Sequence, residues 1–403
     1  MKILLLTDVP PCTEFSGSLL TRQLCQFLPS GSLVCYCPVN RCFSDVNPAP
    51  ELDLEFLRDT KPREIVFGGK FKALTFLNEL LSRLIHIPRL VSRIARFGRE
   101  HEVDRVWCIL QGQTMIRLAT QVSERLGVPL YTQLWDHPLW WLKENKIDAV
   151  NRKQILREFE NALRTSAGCG AASEVMAAEF QHDYGVRATP LLASLDASHL
   201  DLPAPPARGQ TEPLVIGMAG QLYAWAEWSV LIEALSAADW RIGGRDVRIW
   251  YLGRDLRAAA EYPEFIEHLG YRDQAETITL LSKCDVLYCP YFFDPAYEII
   301  ARTSFPSKLT SYLAAGKPVL FHGPRDSSPA AFLTKYDAGC NCSSLDPSEL
   351  MMSLEEILFD EARTAALTAN GKRAFRENLS TEHLKKQFCE FLDLDLVEGA
   401  VKQ

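Results

Sequence analysis

Short apolar segments alternate with longer amphipathic segments along this chain, and that rhythm limits the possible folds more than any other feature. Residues 2–7 form an apolar segment of strand length, and an amphipathic segment from about residue 18 follows it. Residues 103–110 and 129–134 are again apolar, with the helical pattern of residues 114–126 between them. Strands that alternate with helices in this way predict a parallel, doubly wound sheet with helices on both faces.

The rhythm starts again after a segment rich in proline. Residues 197–213 hold four prolines among small and polar residues, which is typical of a linker. More buried strands are predicted beyond it, at residues 214–218, 247–252, 284–289 and 318–321. The predicted fold class is therefore α/β, with two Rossmann-like doubly wound parallel-sheet domains facing a central cleft.

The length of the chain agrees with two domains, because 403 residues exceed what one hydrophobic core usually holds. We expect an N-terminal domain at residues 1–196, a linker at 197–213 and a C-terminal domain at 214–380. The last helix, at about residues 381–403, is expected to pack back on the first domain. Residues 52–64 are rich in charge and are interpreted as a loop.

The composition and the charge exclude several classes of protein. Hydrophobic residues make up 47% of the chain and charged residues 23%, as in an ordinary globular protein. The net charge of −8 gives no sign of nucleic-acid binding. The N-terminal apolar run is only four residues long, which is too short for a signal peptide or a membrane span. We therefore expect a cytoplasmic protein.

Twelve cysteines raise the question of a metal site. Cys35 and Cys37 would share one face of a strand, and Cys42 follows them, but no second Cys or His pair at zinc spacing follows closely. A disulfide framework is not expected without an export signal. We interpret the cysteines as small buried side chains and predict no required metal.

The segment at residues 305–319 carries the strongest functional pattern. It reads FPSKLTSYLAAGKPV, in which Pro306 suits the first turn of a helix and Gly316 its end. The free backbone N–H groups beside Ser307 and Lys308 would hold an anion, helped by the helix dipole and the lysine charge. The alternative is an ordinary surface lysine in the first turn.

This segment resembles the donor-site helix of the group 1 (family 4) glycosyltransferases, which have the GT-B fold and read P-S-K-L and then Y-x-A-A-G-K-P-V there. The resemblance continues in order through most of the second half of the chain. It includes LGY at residues 269–271, KCDVL at 283–287 and the glycine loop at 215–220. The first half matches more weakly, in the loop at residues 8–17 and in the turn at 135–137.

The resemblance implies a retaining, metal-independent and hexosyltransferase-like glycosyltransferase. It would move a sugar from a nucleotide-diphosphate sugar, with no other cofactor, to a hydroxyl of a saccharide, a lipid-linked or a small-molecule acceptor. The second domain would bind the donor through Gly217, Gly220, Gln221, Arg254, Tyr271, Arg302, Ser307 and Lys308. The first domain would bind the acceptor near Gly17, Trp135 and Trp140, with Asp136 and His137 as catalytic residues.

Two departures from the family pattern put the donor's identity and the activity in question. The family often has two glutamates eight residues apart, and here these positions read Thr303 and Ser311. The basic pair that neutralises the diphosphate is replaced by Gly220-Gln221 and Ala226-Glu227. The charge of a diphosphate would then be balanced by Lys308, with the two arginines named above as helpers.

Several alternatives stay open at this point. The missing groups fit a catalytically silent GT-B module that binds a ligand or a partner. A nucleotide-sugar epimerase on the same fold is a second alternative. For His137, packing against its aromatic neighbours competes with a role in proton transfer.

Residues 71–99 combine apolar side chains with six cations around Pro88. One interpretation is a basic amphipathic surface that contacts anionic lipid or a lipid-linked acceptor at the inner face of a membrane. The other is a pair of core-packing helices whose arginines extend into solvent. The second is the simpler interpretation and is favoured.

Overall fold

The protein divides into two compact units, each built around one parallel sheet. Unit 1 contains Met1–Leu191 and the segment that begins at Lys385, and unit 2 contains Leu192–Leu384. The computed structural model describes residues 1–40, 44–62, 64, 72–201, 209 and 211–395. The two Rossmann-like, doubly wound domains predicted from the sequence are confirmed.

The described part of unit 1 alternates strands and helices as the sequence predicts. Its strands are β1 (Ile3–Leu6), β2 (Leu33–Val39), β3 (Glu55–Thr60), β4 (Arg105–Ile109), β5 (Leu130–Gln133), β6 (Gly168–Ala171) and β7 (Ala188–Pro190). Its helices are α1 (Ser16–Cys25), α2 (Lys72–Leu81), α3 (Ile87–Glu100), α4 (Gly112–Leu126), α5 (Pro138–Glu144), α6 (Ala149–Thr165) and α7 (Glu174–Tyr184).

The sheet of unit 1 has the strand order β3-β2-β1-β4-β5-β6-β7, with every pair parallel. Its central strands are apolar along their length because helices cover both faces. Leu4 of β1, Ile94 of α3 and Leu118 of α4 belong to one core cluster. The strand order reverses between β1 and β4, so the switch point of the sheet lies there, at the edge where such sheets bind ligands.

The loop expected at residues 52–64 is wrong in part. Glu55–Thr60 forms β3, an edge strand that pairs in parallel with β2 from Val34↔Glu55 to Val39↔Thr60. The strand is largely polar because it lies at the edge of the sheet, where burial is incomplete and hydrophobicity gives little signal.

Unit 2 repeats the same architecture. Its strands are β8 (Leu214–Ala219), β9 (Arg241–Ile242), β10 (Arg245–Leu252), β11 (Ile266–His268), β12 (Val286–Pro290), β13 (Val319–His322) and β14 (Cys340–Cys342). Its helices are α8 (Trp225–Ala237), α9 (Arg257–Ala260), α10 (Gln274–Leu281), α11 (Glu298–Thr303), α12 (Ser307–Ala314), α13 (Ser328–Tyr336), α14 (Pro347–Phe359) and α15 (Glu361–Asn378).

The main sheet of unit 2 has the order β11-β10-β8-β12-β13-β14, and the short β9 joins β10 in antiparallel pairing. Both faces of the sheet are covered. Neighbouring residues Val215 and Ile216 of β8 point to opposite faces and belong to two different core clusters. The switch point of this sheet lies between β8 and β12.

The boundary between the units falls before the segment expected as a linker. Leu192 is buried in a core cluster of unit 2, and the Leu195 N–H donates to the Leu379 carbonyl. Residues 202–208 and 210 of that segment lie outside the described residues. The last described helix, α16 (Thr381–Phe391), places Phe388 against Trp107 of β4, with ring centroids 5.0 Å apart.

Residues 72–100 form two helices that differ in burial. A π-helical turn, Ser82–His86, joins α2 to α3, and Pro88 occupies the second position of α3. Helix α3 packs into the core, whereas α2 and the turn leave a patch of large apolar side chains between 38% and 67% exposed. We call it the apolar patch, and it consists of Leu74, Phe76, Leu77, Leu80, Leu81, Leu84 and Ile85.

Phe71, which begins the segment singled out in the sequence, lies outside the described residues, as does Cys42. Among the helices that the structure describes, none is long and apolar enough to cross a membrane.

Candidate functional site

The start of helix α12 brings Lys308 to the carboxyl edge of the unit 2 sheet. Pro306 occupies the N-cap position and no side chain caps the first N–H groups of the helix. The half-buried Lys308 reaches back, so that its Nζ donates to the Gln221 carbonyl at 3.0 Å. The same ammonium lies 4.3 Å from the ring centroid of Tyr223.

Gly220 ends strand β8 beside this lysine. Its φ of +86° is a conformation that favours glycine, and a Cβ at this position would lie 3.9 Å from Lys308 Cε. Helix α12 also holds the end of β8, because the Ala219 N–H donates to the hydroxyl of Tyr312 in α12 at 2.8 Å. The structure therefore brings together Gly220, Gln221 and Lys308, three of the donor-binding residues predicted from the sequence.

Arg254 and Tyr271 lie on the neighbouring strand ends. The Arg254 guanidinium lies over the Tyr271 ring at 4.6 Å, and both side chains are exposed. Gly253, next to Arg254, touches the Gly220 loop, since a Cβ there would lie 2.8 Å from the Gly220 carbonyl oxygen. The connections that follow β8, β10 and β11 and the start of α12 thus supply these polar residues.

Two other predicted donor residues, Gly217 and Arg302, have surroundings of their own. Gly217 lies inside β8 and is buried, and a Cβ there would come within 2.6 Å of Cys284 Sγ and 2.8 Å of Leu287. Close packing against these two residues therefore explains why position 217 is a glycine. Arg302, in α11, is half-buried and has an interaction of its own. Ser307 is exposed at the first position of α12.

The positions of the two family glutamates have other contacts here. Thr303 is buried and its hydroxyl donates back to the Ile299 carbonyl at 2.6 Å. Ser311 accepts a hydrogen bond from Gln274 Nε2 at 2.9 Å. Glu227, on the other hand, is buried and accepts from the Phe293 N–H at 2.7 Å, which makes it part of the scaffold.

The surroundings of Lys308 shift its pKa. Burial lowers the pKa of Lys308 to about 8, because no carboxylate among the described residues compensates its desolvation. The nearby Cys289 thiol does not supply a negative charge at neutral pH, because burial raises the pKa of Cys289 to about 11. Within the described part of the chain, the site thus presents a cation without a carboxylate partner at a helix start that no side chain caps.

In unit 1, the predicted acceptor residues Gly17 and Trp135 are in direct contact. A Cβ on Gly17 would lie 2.5 Å from the Trp135 ring, so only glycine allows helix α1 to approach the indole so closely. The indole N–H groups of Trp135 and Trp140 are buried without a hydrogen-bond partner among the described residues. A ligand hydroxyl could satisfy them.

His137 and Asp136 follow β5 in the turn before α5. His137 caps α5, because its Nδ1 accepts from the Leu139 N–H at 3.2 Å. Its ring packs edge-on against Phe159 at 5.7 Å. The half-buried Asp136 has a partner of its own. The contacts of His137 are those of a capping and packing residue, and a role in catalysis rests on the proposal below.

Sequence reasoning missed a buried ionic cluster at the same edge of the unit 1 sheet, which we call the Lys61 cluster. Lys61 follows β3 directly, and its Nζ lies 3.1 Å from Asp8 Oδ2 and 2.9 Å from Glu64 Oε2. The Glu64 carboxylate also accepts from the Thr114 N–H and hydroxyl, at 2.9 and 2.7 Å. The signal was available, since each residue closely follows a strand, but β3 itself went unrecognised.

Two of the charges in this cluster have a shifted pKa. Burial raises the pKa of Asp8, against the opposing effect of Lys61. Burial alone would lower the pKa of Lys61, but Glu64 and Asp8 together outweigh it and raise the pKa. Lys61 is therefore charged at every physiological pH.

The described residues contain no group of three or more His, Cys, Asp or Glu side chains placed to hold a metal ion. The described cysteines are free, and all except the partly exposed Cys340 are buried.

Comparison with solved structures relates this geometry to known proteins. HepE from Anabaena, in complex with UDP, matches with a TM-score of 0.67 and 16% identity over 98% of this chain and 100% of its own. HepE in complex with UDP-glucose matches with a TM-score of 0.64 and 15% identity over the same shares. The lipopolysaccharide outer core galactosyltransferase WaaB matches with a TM-score of 0.64 and 11% identity, over 98% of this chain and 99% of its own.

No protein-family model matches the sequence, and neither does any curated protein. The likeness to the solved structures is one of fold, and it extends over almost the whole chain. The chain has the GT-B fold of these glycosyltransferases, which confirms the fold expected from the sequence resemblance.

Proposed function

We propose that this protein is a GT-B glycosyltransferase that moves a sugar from a nucleotide-diphosphate sugar to an acceptor hydroxyl, with retention of the anomeric configuration and without a metal ion. The observation that carries the proposal is Lys308, an ammonium that no carboxylate of the described residues compensates, at the start of α12, which no side chain caps, beside Gly220 and Gln221. An anionic diphosphate supplies the charge that this place lacks.

The chemistry follows from where charge develops. The bond between the sugar C1 and the diphosphate oxygen breaks, and negative charge accumulates on the leaving nucleotide. Lys308 and the N–H groups of α12 stabilise that charge, because they are already oriented before the reaction. The acceptor oxygen forms the new bond to C1 and gives up its proton, with Asp136 and His137 as the candidates that orient the hydroxyl and take that proton.

UDP-glucose is the donor that we propose first. HepE, which has the same fold, was solved with UDP and with UDP-glucose. The exposed Tyr271, with Arg254 over its ring, offers an aromatic face for the base. The acceptor belongs to unit 1 in this proposal, near the contact of Gly17 with Trp135.

Calorimetric titration of UDP-glucose and UDP tests the donor site. Removing the ammonium in Lys308→Ala should weaken the binding of both ligands by about 10- to 100-fold, the usual loss for one charge-assisted hydrogen bond. Lys335→Ala is the matched control, because Lys335 also lies over a tyrosine ring, at 4.9 Å from Tyr336, but at the end of α13. Equal affinity in the Lys308 variant and the wild type would reject the donor site.

A catalytically silent module is the second candidate function, and the contacts of Thr303 and Ser311 favour it. Neither side chain carries the charge that the family's glutamates would bring. Incubation of the protein with UDP-glucose and a panel of sugars, followed by chromatography of the products, separates the candidates. Binding without UDP release supports the silent module, and a glycosylated product with α-linkage supports the retaining transferase.

We further propose that unit 1 contacts the surface of an anionic membrane from the cytoplasmic side. The apolar patch is too large and too exposed for an ordinary surface helix. A groove of about 410 Å³ beside it is lined by Phe76 and Leu80 together with the cations Arg83, Lys153 and Arg157. Apolar side chains flanked by cations match a bilayer rich in anionic lipid.

Sedimentation with lipid vesicles tests this contact. Wild-type protein should bind vesicles that contain phosphatidylglycerol and should bind pure phosphatidylcholine vesicles much less. Leu84→Asp, at the most exposed position of the patch, should abolish binding, whereas Met352→Asp, at the equally exposed Met352 of unit 2, should leave it unchanged. If the protein does not bind vesicles but forms a concentration-dependent dimer that Leu84→Asp disrupts, the apolar patch contacts a second copy of the chain and not a membrane.

A further inference from the structure

The Lys61 cluster lies at the place in unit 1 where this type of sheet binds ligands. Asp8 follows β1, and Gly112 and Gln113 begin the helix after β4, so these residues flank the switch point between β1 and β4. Gly112 closes the cluster from above, since a Cβ there would lie 3.3 Å from Lys61 Nζ and 3.4 Å from Glu64 Oε2. Its φ of +80° requires the freedom of glycine.

Two buried acceptor atoms at this switch point lack a donor among the described residues. Asp8 is 92% buried, and while its Oδ2 is bound by Lys61, its Oδ1 has no partner. Gln113 is 97% buried, and its Oε1 has no partner either. A buried acceptor without a donor is costly, and such atoms are rare unless a ligand or water serves them.

The charges of the cluster define which ligand could serve these atoms. One ammonium lies between two carboxylates, so its positive charge is already compensated. An anionic group such as phosphate would be repelled by Asp8 and Glu64, and neither free atom could donate to it. A hydroxyl group donates to both kinds of oxygen and brings no charge.

We infer that Asp8 Oδ1 and Gln113 Oε1 bind hydroxyl groups of the acceptor, and that this subsite selects a neutral saccharide over a phosphorylated one. The inference rests on the proposed transferase function and deepens it. Lys61 holds Asp8 through its other oxygen, Oδ2, and Oδ1 has no partner among the described residues. The Trp135 ring, which follows β5 in the same unit and contacts Gly17, offers an apolar face on which a sugar ring can stack.

The rival explanation is that the cluster only fastens β3 to β1 and α4. Unit 1 contains a second cluster that serves as a control for such a role. Arg117 of α4 is 3% exposed and lies 2.7 Å from Glu79 of α2 and 3.1 Å from Glu158 of α6. It has the same charges and a similar burial, but it joins helices away from the strand ends.

The test compares carboxylates in the two clusters. Asp8→Asn and Glu79→Gln each neutralise one buried carboxylate, and Gln113→Met removes the second free acceptor without touching an ion pair. The probes are methyl α-D-glucopyranoside, glycerol and glucose 6-phosphate, observed by saturation-transfer NMR in the presence of UDP. UDP affinity by calorimetry and the thermal midpoint of unfolding are measured on every variant.

We expect the neutral probes to bind the wild type and glucose 6-phosphate to bind more weakly. Asp8→Asn and Gln113→Met should each weaken the neutral probes by about 10-fold or more, while Glu79→Gln changes them less than about 2-fold. UDP affinity should be the same in all four proteins. If Asp8→Asn does not fold, Gln113→Met still tests the subsite, because this variant keeps the ionic cluster.

Two results would overturn the inference: equal binding of the neutral probes to wild type and to Gln113→Met, or tighter binding of glucose 6-phosphate than of the methyl glucoside. Loss of thermal stability in Asp8→Asn and Glu79→Gln alike, with unchanged probe binding, assigns the cluster a structural role only. A wild type that binds neither UDP nor UDP-glucose refutes the proposed function instead, which the calorimetry shows separately.

Discussion

Two lysines of this protein have opposite surroundings: Lys61, which is buried directly after β3 in unit 1, and Lys308, which is half-buried at the start of α12 in unit 2. Lys61 is held between two carboxylates, which keep its pKa above the usual value. Lys308 has a carbonyl and a tyrosine ring but no carboxylate among the described residues, and burial lowers its pKa to about 8. A buried cation that is already paired attracts no anion, whereas an unpaired one does.

This difference assigns ligands of different charge to the two units. The Lys308 surroundings fit a diphosphate, and the Lys61 surroundings fit uncharged hydroxyl groups. Each lysine has a glycine with positive φ beside it, Gly220 in unit 2 and Gly112 in unit 1. The comparison can therefore be tested by matched substitutions in the two places.

The largest expected difference comes from replacing each lysine by methionine. Lys61→Met leaves the buried Asp8 and the half-buried Glu64 without their cation and should lower the free energy of unfolding by about 3 kcal/mol. Lys308→Met removes a poorly compensated cation and should change it by less than about 1 kcal/mol. Thermal and urea unfolding of both variants measures the effect. Equal destabilisation would mean that Lys308 has a compensating partner in solution.

Alanine at the two glycines should have a smaller effect. Both substitutions place a side chain in a positive-φ conformation, which costs about 1 kcal/mol. Gly112→Ala also crowds the Lys61 cluster, at 3.3 and 3.4 Å, and should cost about 1 kcal/mol more than Gly220→Ala, whose nearest contact is 3.9 Å. Unfolding of the two variants in urea gives the difference, and a greater loss in Gly220→Ala would contradict the packing of both sites.

The pH dependence of donor binding gives a further test of the comparison. The diphosphate binds the protonated form of Lys308, and its pKa of about 8 implies that this form falls roughly tenfold between pH 7 and pH 9. UDP affinity in the wild type should therefore decrease by about tenfold over that range. Lys308→Arg, which keeps its charge, should show little change, so parallel pH profiles of the two proteins would rule out titration of Lys308.

The fold could be predicted from the sequence to a large extent. The apolar strands of both units, such as Ile3–Leu6 and Leu214–Ala219, are buried on both faces and stand out as apolar runs. Strand Glu55–Thr60 could not be found in this way, because an edge strand is only partly buried and its residues are polar. Missing it also hid the place of Lys61, which directly follows that strand.

The candidate site was predictable only where local pattern and chemistry coincide. Lys308 and Gly220 could be singled out because a lysine at a helix start and a glycine at a strand end have meaning by themselves. Gly217 belongs to the same motif, but its surroundings, Cys284 and Leu287, come from distant parts of the chain and show a packing role. His137 likewise gains its meaning from Phe159, which no local pattern connects with it.

The sequence by itself determined the rhythm of strands and helices and the two-unit architecture, and it was enough to propose an anion site at residues 305–316, because these depend on residues close together in the chain. Only the tertiary structure decided which charges are paired. Asp8, Lys61, Glu64 and Thr114 are separated by up to about a hundred residues, and the parallel sheet brings their strand ends to one edge. That long-range pairing decides whether a lysine is already compensated by carboxylates of the protein or can bind an anionic ligand.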